Sequence, residues 1–254
     1  MSPPAPVVVV HPDADVLATA VAARLVTRLA DAQALRGTAS VVLTGGGIGT
    51  AAMRALRDTP ARAAVDWSRV DVWWGDERWV EPDSDDRNDR QAREALLDAL
   101  PLDPARVHPM GSTATHPTPE ASADAYAAEL ALAAGPDRDV PEFDVLLLGV
   151  GPEGHTASIF PESPAAHDER TVLSVHGCPK PPPTRVSLGM AALTAAREVW
   201  MVVAGEEKAP VVALAVGGAG PVQVPAAGPA GTLQTLWLLD EPAASRLPQD
   251  LRRR

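Results

Sequence analysis

Lysine is almost missing from this chain. Of its 254 residues 22 are Lys or Arg, and only Lys180 and Lys208 are lysines. Together the basic residues are outnumbered by 33 Asp and Glu, which leaves a formal net charge of −11. Such a chain has no overall footprint for nucleic acid or for an anionic membrane surface. Any small anion it binds must be held locally, against an unfavourable net field. Cysteine is limited to Cys178, which excludes an intrachain disulfide and a cysteine-based zinc site and predicts a buried, inert thiol. Aromatic residues are few, six Trp, two Phe and one Tyr, so the core must be built from Ala, Val and Leu. Long apolar runs are absent too. Stretches such as Val145–Leu148 are far too short to span a bilayer, and Met1–Pro6 has neither the basic residues nor the apolar run of a signal peptide. A cytoplasmic protein is expected.

What remains is an ordinary globular composition, with no linker that divides the chain convincingly, so a single α/β domain over 1–254 is expected. Val7–Val10 reads as a buried strand ended by His11-Pro12. From Asp13 to Arg36, Val16, Leu17, Ala20, Val21, Leu25 and Leu29 recur at helical spacing, with Asp13 or Asp15 as cap and Gly37 as stop. The unit then repeats. Strands are predicted at Ser40–Leu43, Val70–Trp74, Phe143–Val150, Thr171–Val175, Arg185–Leu188, Val199–Val203 and Thr235–Leu239. Helices are predicted at Thr50–Leu56, Asn88–Leu100, Ala121–Ala134, Ala191–Ala196 and Glu206–Val216. Phe143–Val150 lacks polar alternation after Asp144, as in strands buried on both faces of a parallel sheet. The alternation predicts a doubly wound α/β fold, a mostly parallel, Rossmann-like sheet with helices on both faces. Ligands in this class sit beyond the carboxyl ends of the strands, which directs attention to the loops after Leu43, Trp74 and Val150.

The first loop is Thr44-Gly45-Gly46-Gly47-Ile48-Gly49. Its glycines let backbone amides approach a ligand, and the helix behind it offers a positive end to a phosphate. It lacks the Gly-Lys-Ser/Thr of a Walker loop, and a plain strand-to-helix turn is the alternative. The second is the polar loop Gly75–Asp86, where Asp76, Glu77 and Arg78 follow a strand directly. Arg78 can fork onto phosphate or carboxylate, or the segment can be a solvated surface. The third, Gly149-Val150-Gly151-Pro152-Glu153-Gly154-His155, matches G-x-G-x-x-G, but it stands mid-chain and lacks a clear acidic partner for a ribose. His155 at the mouth of this turn suits a general base at neutral pH. The other histidines show no metal-ligand spacing. Finally, Arg185 and the rare Lys208 are cations in loops or strand ends that one surface can gather.

These blocks resemble the glucosamine-6-phosphate isomerase/6-phosphogluconolactonase family, over most of the chain and in the family's order. They are Thr44–Gly47, Gly75–Arg78 with Asp86-Arg87-Asn88, Gly149–Pro161, Arg185–Leu188, Gly205–Ala209 and Thr235–Asp240. His155 is followed by Thr-Ala-Ser-Ile-Phe-Pro, as on the lactonase side, where the deaminase pattern resembles Ile-Ala-Phe-Asn-Glu-Pro. Arg78 stands where the deaminase has an aromatic residue. Two positions depart from the family pattern: Glu153 replaces the usual Asp, and Gly47 replaces a Ser. The resemblance implies hydrolysis of 6-phospho-D-glucono-1,5-lactone without metal or cofactor, with His155 as general base. Glu153 or Asp76 would orient the imidazole ring or bind sugar hydroxyls, and amides of Gly149–Gly154, or Arg78, would receive the oxyanion. Thr44, Gly45, Gly46, Arg185 and Lys208 would bind phosphate, Gly47, Gly151 and Gly154 would join them in binding the substrate, and Asn88 would belong to the same set, bracing the Arg78 loop. The expected partner is the small lactone alone, with no nucleic acid and no membrane, in a monomer or weak homodimer. A deaminase on the same scaffold, a non-catalytic sugar-phosphate sensor and a nucleotide-binding oxidoreductase are the competing readings.

Overall fold

The β-branched run at Val7 opens the first strand, β1 (Val7–His11), in a computed structural model that describes residues 4–253. Residues 1–3, half of the segment weighed above as a signal peptide, lie outside the described residues. Asp13 is the cap chosen at the next helix. It is extended, accepts the Val16 amide at 2.8 Å, and starts α1 (Ala14–Arg36). Gly37 ends that helix in the left-handed region, φ +80°. The chain continues through β2 (Ala39–Leu43), α2 (Gly47–Asp58), β3 (Val70–Trp74), β4 (Asp76–Arg78), α3 (Asn88–Ala95) and α4 (Pro119–Ala134). Then follow β5 (Val145–Leu148), β6 (Val172–Val175), β7 (Arg185–Leu188), α5 (Met190–Leu193), β8 (Glu198–Val203), α6 (Ala209–Val216) and β9 (Gln234–Asp240).

Six strands form one parallel sheet in the order β1-β9-β8-β5-β2-β3. The expected doubly wound fold is present. Strand alternation sorts the core into two layers. Val41, Val145, Leu147, Trp200 and Leu238 face α1 and α2, meeting Leu17, Leu25, Leu29 and Leu56. Val42, Leu146, Met201 and Leu239 face the other layer, meeting Tyr126 and Leu130 of α4 and Val212 of α6. That second layer also holds a small antiparallel sheet, β4-β7-β6. The chain winds outward from β2 to β3 and the other way from β5 to β8 and β9. The winding therefore reverses between β2 and β5, where a crevice opens beyond the strand ends.

Several local expectations change; the strand expected over Phe143–Val150 spans Val145–Leu148, and the helix expected from Glu206 starts at Ala209 after a 3₁₀ turn. Asp76–Arg78 is a strand, not part of a polar loop, because its backbone pairs with β7 while Asp76 and Glu77 turn inward, 8% and 1% exposed. The helix expected from Thr50 begins three residues earlier, at Gly47. The helix expected to Leu100 stops at Ala95: Leu96 leaves helical geometry (φ −147°) so that Leu96 and Leu97 are both buried, and Ala99 is exposed. The helix expected to Ala196 closes at Leu193, where the Thr194 hydroxyl bonds back to the Ala191 carbonyl at 2.9 Å. Cys178 is buried as expected, and burial pushes its thiol up.

Candidate active site

Two loops meet at the reversal point. The Thr44 hydroxyl, at the end of β2, accepts the Gly149 amide after β5 at 3.1 Å. Beyond it lies a cavity of about 460 Å³, a size suited to a small ligand. Of the sequence-predicted site residues, Thr44, Gly45, Gly46, Gly47, Asp76, Arg78, Asn88, Gly151, His155, Arg185 and Lys208 line it. Glu153 and Gly154 stand behind the wall.

The Gly46 cap gives α2 no side-chain hydrogen bond, and its first turn holds no acidic residue. Its leading amides and the positive end of its dipole are open to an anion. Gly45 is required for a different reason: a Cβ there would run into Asn88 Oδ1. Asn88 in turn receives a hydrogen bond from Arg78 Nη1 and donates through Nδ2 to the Asp76 carbonyl at 2.8 Å. It braces Arg78 as expected. Arg78 Nη1 also reaches the Asp86 carbonyl at 3.1 Å, and its buried Nε has no partner.

His155 is fixed by its own loop. The Gly151 amide donates to the His155 carbonyl at 2.9 Å, and the Gly154 amide to the Gly151 carbonyl at 2.9 Å. Those two amides, and that of Gly149, are spent inside the protein, so they are not the oxyanion donors anticipated from the sequence. The imidazole stacks on Phe160 at 4.4 Å. Its Nδ1 lies 3.1 Å from Glu153 Oε1, close but off the ideal hydrogen-bond line. Among the described residues no group hydrogen-bonds Nε2, while the ring lines the cavity. Burial holds the His155 pKa below its ordinary value, against the opposing pull of Glu153 and Asp76. The imidazole is thus neutral at neutral pH. Burial raises the Glu153 pKa, but its own amide, His155 and Lys180 outweigh that and hold the carboxylate ionised.

The cations differ in how far they are committed. Arg185 is 5% exposed. It donates from Nε to the Pro182 carbonyl at 2.8 Å and from Nη2 to the Lys180 carbonyl at 3.0 Å, leaving Nη1 at 3.8 Å from Asp76. The β4–β7 register sets it directly opposite Arg78, a like-charge pair that ordinary sheets avoid. Lys208 is nearly free, 3.5 Å from the Ala204 carbonyl and 3.7 Å from Glu207. Its loop is anchored by Asp240, which accepts the Gly205 amide at 3.1 Å while Gly205 holds φ +106°.

Lys180 and Glu77 are among the residues whose part in the site the sequence did not disclose. Lys180 lines the cavity and donates to Glu153 at 3.2 Å. The rarity that singled out Lys208 applies equally to it, so both lysines of the chain stand at this cavity. Glu77 is buried and accepts the amides of Arg78, Asn88 and Asp89 at 2.7–2.8 Å beside Arg87. Burial pushes its carboxyl up to about 7 against those partners. It locks β4 to the start of α3, and no local pattern announces that.

Comparison with known proteins matches this arrangement to one family. Residues 12–237 fit the family described as glucosamine-6-phosphate isomerases/6-phosphogluconolactonase. A protein of Streptomyces coelicolor named 6-phosphogluconolactonase is 56% identical over 251 residues, covering 97% of this chain and 96% of the other. One of Mycobacterium tuberculosis with the same name is 48% identical over 242 residues, 94% of this chain and 97% of the other. The solved structure of 6-phosphogluconolactonase from Trypanosoma brucei superposes with a TM-score of 0.84 at 31% identity, covering 97% of this chain and all of that one. With the glycine turns, the His155 loop and the paired cations all on one strand-end surface, the chain belongs to the glucosamine-6-phosphate isomerase/6-phosphogluconolactonase family.

Proposed function

We propose that this protein hydrolyses 6-phospho-D-glucono-1,5-lactone to 6-phosphogluconate, with His155 as the general base. The observation that carries the reading is one cavity in which the unpartnered Nε2 of a neutral histidine faces an uncapped helix N-terminus and a nearly free lysine. The leading amides of α2 and Lys208 hold the phosphate. Arg185, mostly committed to its own loop, supports that charge from the wall. His155 Nε2 takes a proton from water as its oxygen bonds to C1. Glu153 keeps Nδ1 protonated and steadies the charge that develops. The C1 oxyanion is met by Arg78, whose guanidinium Asn88 braces. As C1–O5 breaks, the imidazolium returns its proton to the ring oxygen, and the new carboxylic acid ionises to solvent. Asp76 accepts from a sugar hydroxyl.

The reading extends to a cytoplasmic enzyme with a single domain over 1–254, acting as a monomer or weak homodimer on a small lactone alone. Among the described residues no helix is long and apolar enough to cross a membrane. The test is an assay on freshly made lactone coupled to detection of 6-phosphogluconate, with unaided opening subtracted. Turnover well above that background is expected. Background turnover alone, or ammonia release from glucosamine 6-phosphate, would overturn the assignment.

A further inference from the structure

We propose that Ser158 is a positioning residue that holds the His155 loop and the Asp76 carboxylate in one fixed relation. Ser158 is 0% exposed and sits in the sharp turn just after His155. Thr156 and Ile159 close that turn with a reciprocal pair of backbone hydrogen bonds, at 3.0 and 3.3 Å, and Ala157 occupies the left-handed region at φ +49°. A non-glycine residue held there is a conformation that its surroundings must impose. The Ser158 hydroxyl donates to Asp76 Oδ2 at 2.6 Å. Its amide donates to the Ser187 hydroxyl at 3.2 Å, and Ser187 is the register partner of Asp76 across β4 and β7. One buried serine therefore ties the loop of the general base to β4 through the Asp76 carboxylate and to β7 through the Ser187 hydroxyl.

The other partners of Asp76 cannot replace it. Asn88 Nδ2 reaches Oδ1 at 3.3 Å, and Arg185 Nη1 stands 3.8 Å from Oδ2. Without Ser158 the inner oxygen loses its one short donor, and the carboxylate is free to turn toward Arg185. The turn beneath His155 then keeps only the backbone bond from the residue 158 amide to Ser187 and loses its tie to Asp76. Binding of the phosphate end, which uses α2 and Lys208, is untouched. Only the one sugar hydroxyl that Asp76 accepts can weaken ground-state binding, so KM shifts little and the main loss falls on kcat.

The kinetic part of the test rests on the lactonase reading. Ser158→Ala is expected to lower kcat about 10- to 100-fold with KM changed less than about threefold, the range for one lost charge-assisted hydrogen bond. Ser158→Thr, which keeps the hydroxyl, restores much of the rate. In the Asp76→Asn background Ser158→Ala costs much less, because both act through one carboxylate. A loss that is the same in both backgrounds, or one that falls on KM, overturns the proposal. A displaced side-chain carboxyl carbon-13 resonance of Asp76 in Ser158→Ala provides a readout independent of turnover. If the parent protein has no lactonase activity the functional reading fails, and the resonance still decides: unmoved, it refutes the Ser158–Asp76 tie.

Discussion

His155 and Lys180 make the sharpest claims about single residues. Replacing His155 with Asn removes the basic nitrogen and should lower kcat by about 10²–10⁴ with the protein still folded. Near-parental turnover would take the base away from His155. Because burial lowers its pKa, the imidazole stays deprotonated to somewhat lower pH than an ordinary histidine. Activity should therefore hold as pH falls through about 6.5 and be lost only below it. Lys180 is a cation that adds to that lowering. Lys180→Met should move the acid limb of kcat/KM to higher pH, and a limb that stays or moves the other way refutes the coupling. His155 and the glycine turns were legible in the sequence because each depends on its neighbours in the chain. Lys180, Glu77 and Ser158 were not, because each acquires its meaning from a partner 11 to 82 residues away: Glu153, Asn88 and Asp76.

The elements show the same division. Helices α1 and α4 and the six parallel strands follow from apolar spacing and hydrogen-bonding caps, and the sequence reading places all of them within a few residues. Strand β4 was invisible: three charged residues carry no alternation, and only the distant β7 makes them a strand. The open edge of β3 is likewise managed from afar. The His108 amide bonds the Val72 carbonyl at 2.9 Å, and the His108 ring stacks flat on Trp73 at 3.8 Å. Glu129 of α4 lies 2.6 Å from one ring nitrogen and Asp71 3.7 Å from the other, with Arg106 on Asp71. Burial lowers the His108 pKa, but the two carboxylates outweigh it and the net shift is upward. A raised pKa means the folded state holds the proton more tightly. This stabilisation is fully present below the unfolded value near 6.5 and is lost as pH rises through the folded value. His108→Gln should thus melt a few degrees below the parent at about pH 6. The gap should narrow above the folded pKa, and a gap independent of pH would mean that packing on Trp73 alone accounts for it.

At the scale of the whole molecule the net charge of −11 and an anionic substrate look incompatible. The fold separates them. Arg78, Lys180, Arg185 and Lys208 all line one cavity in which Asp76 is the only lining carboxylate among the described residues. The small antiparallel sheet brings Arg78, Lys180 and Arg185 to the crevice, and the loop after β8 adds Lys208, so cations from distant segments converge while most of the acids remain on the solvated exterior. Charges further away than about 8–10 Å are screened at ordinary ionic strength, whereas a lysine in contact with bound phosphate is not. Lys208→Ala should accordingly raise KM, since phosphate contacts persist from ground state to transition state, and leave kcat nearly unchanged. The ratio of the two KM values should vary less than about twofold from about 0.02 to 0.3 M salt, because the contact lies well inside the screening length. A ratio that collapses toward one at high salt would mean that Lys208 acts as a surface charge steering the substrate, and the phosphate seat would then rest on the α2 amides without it.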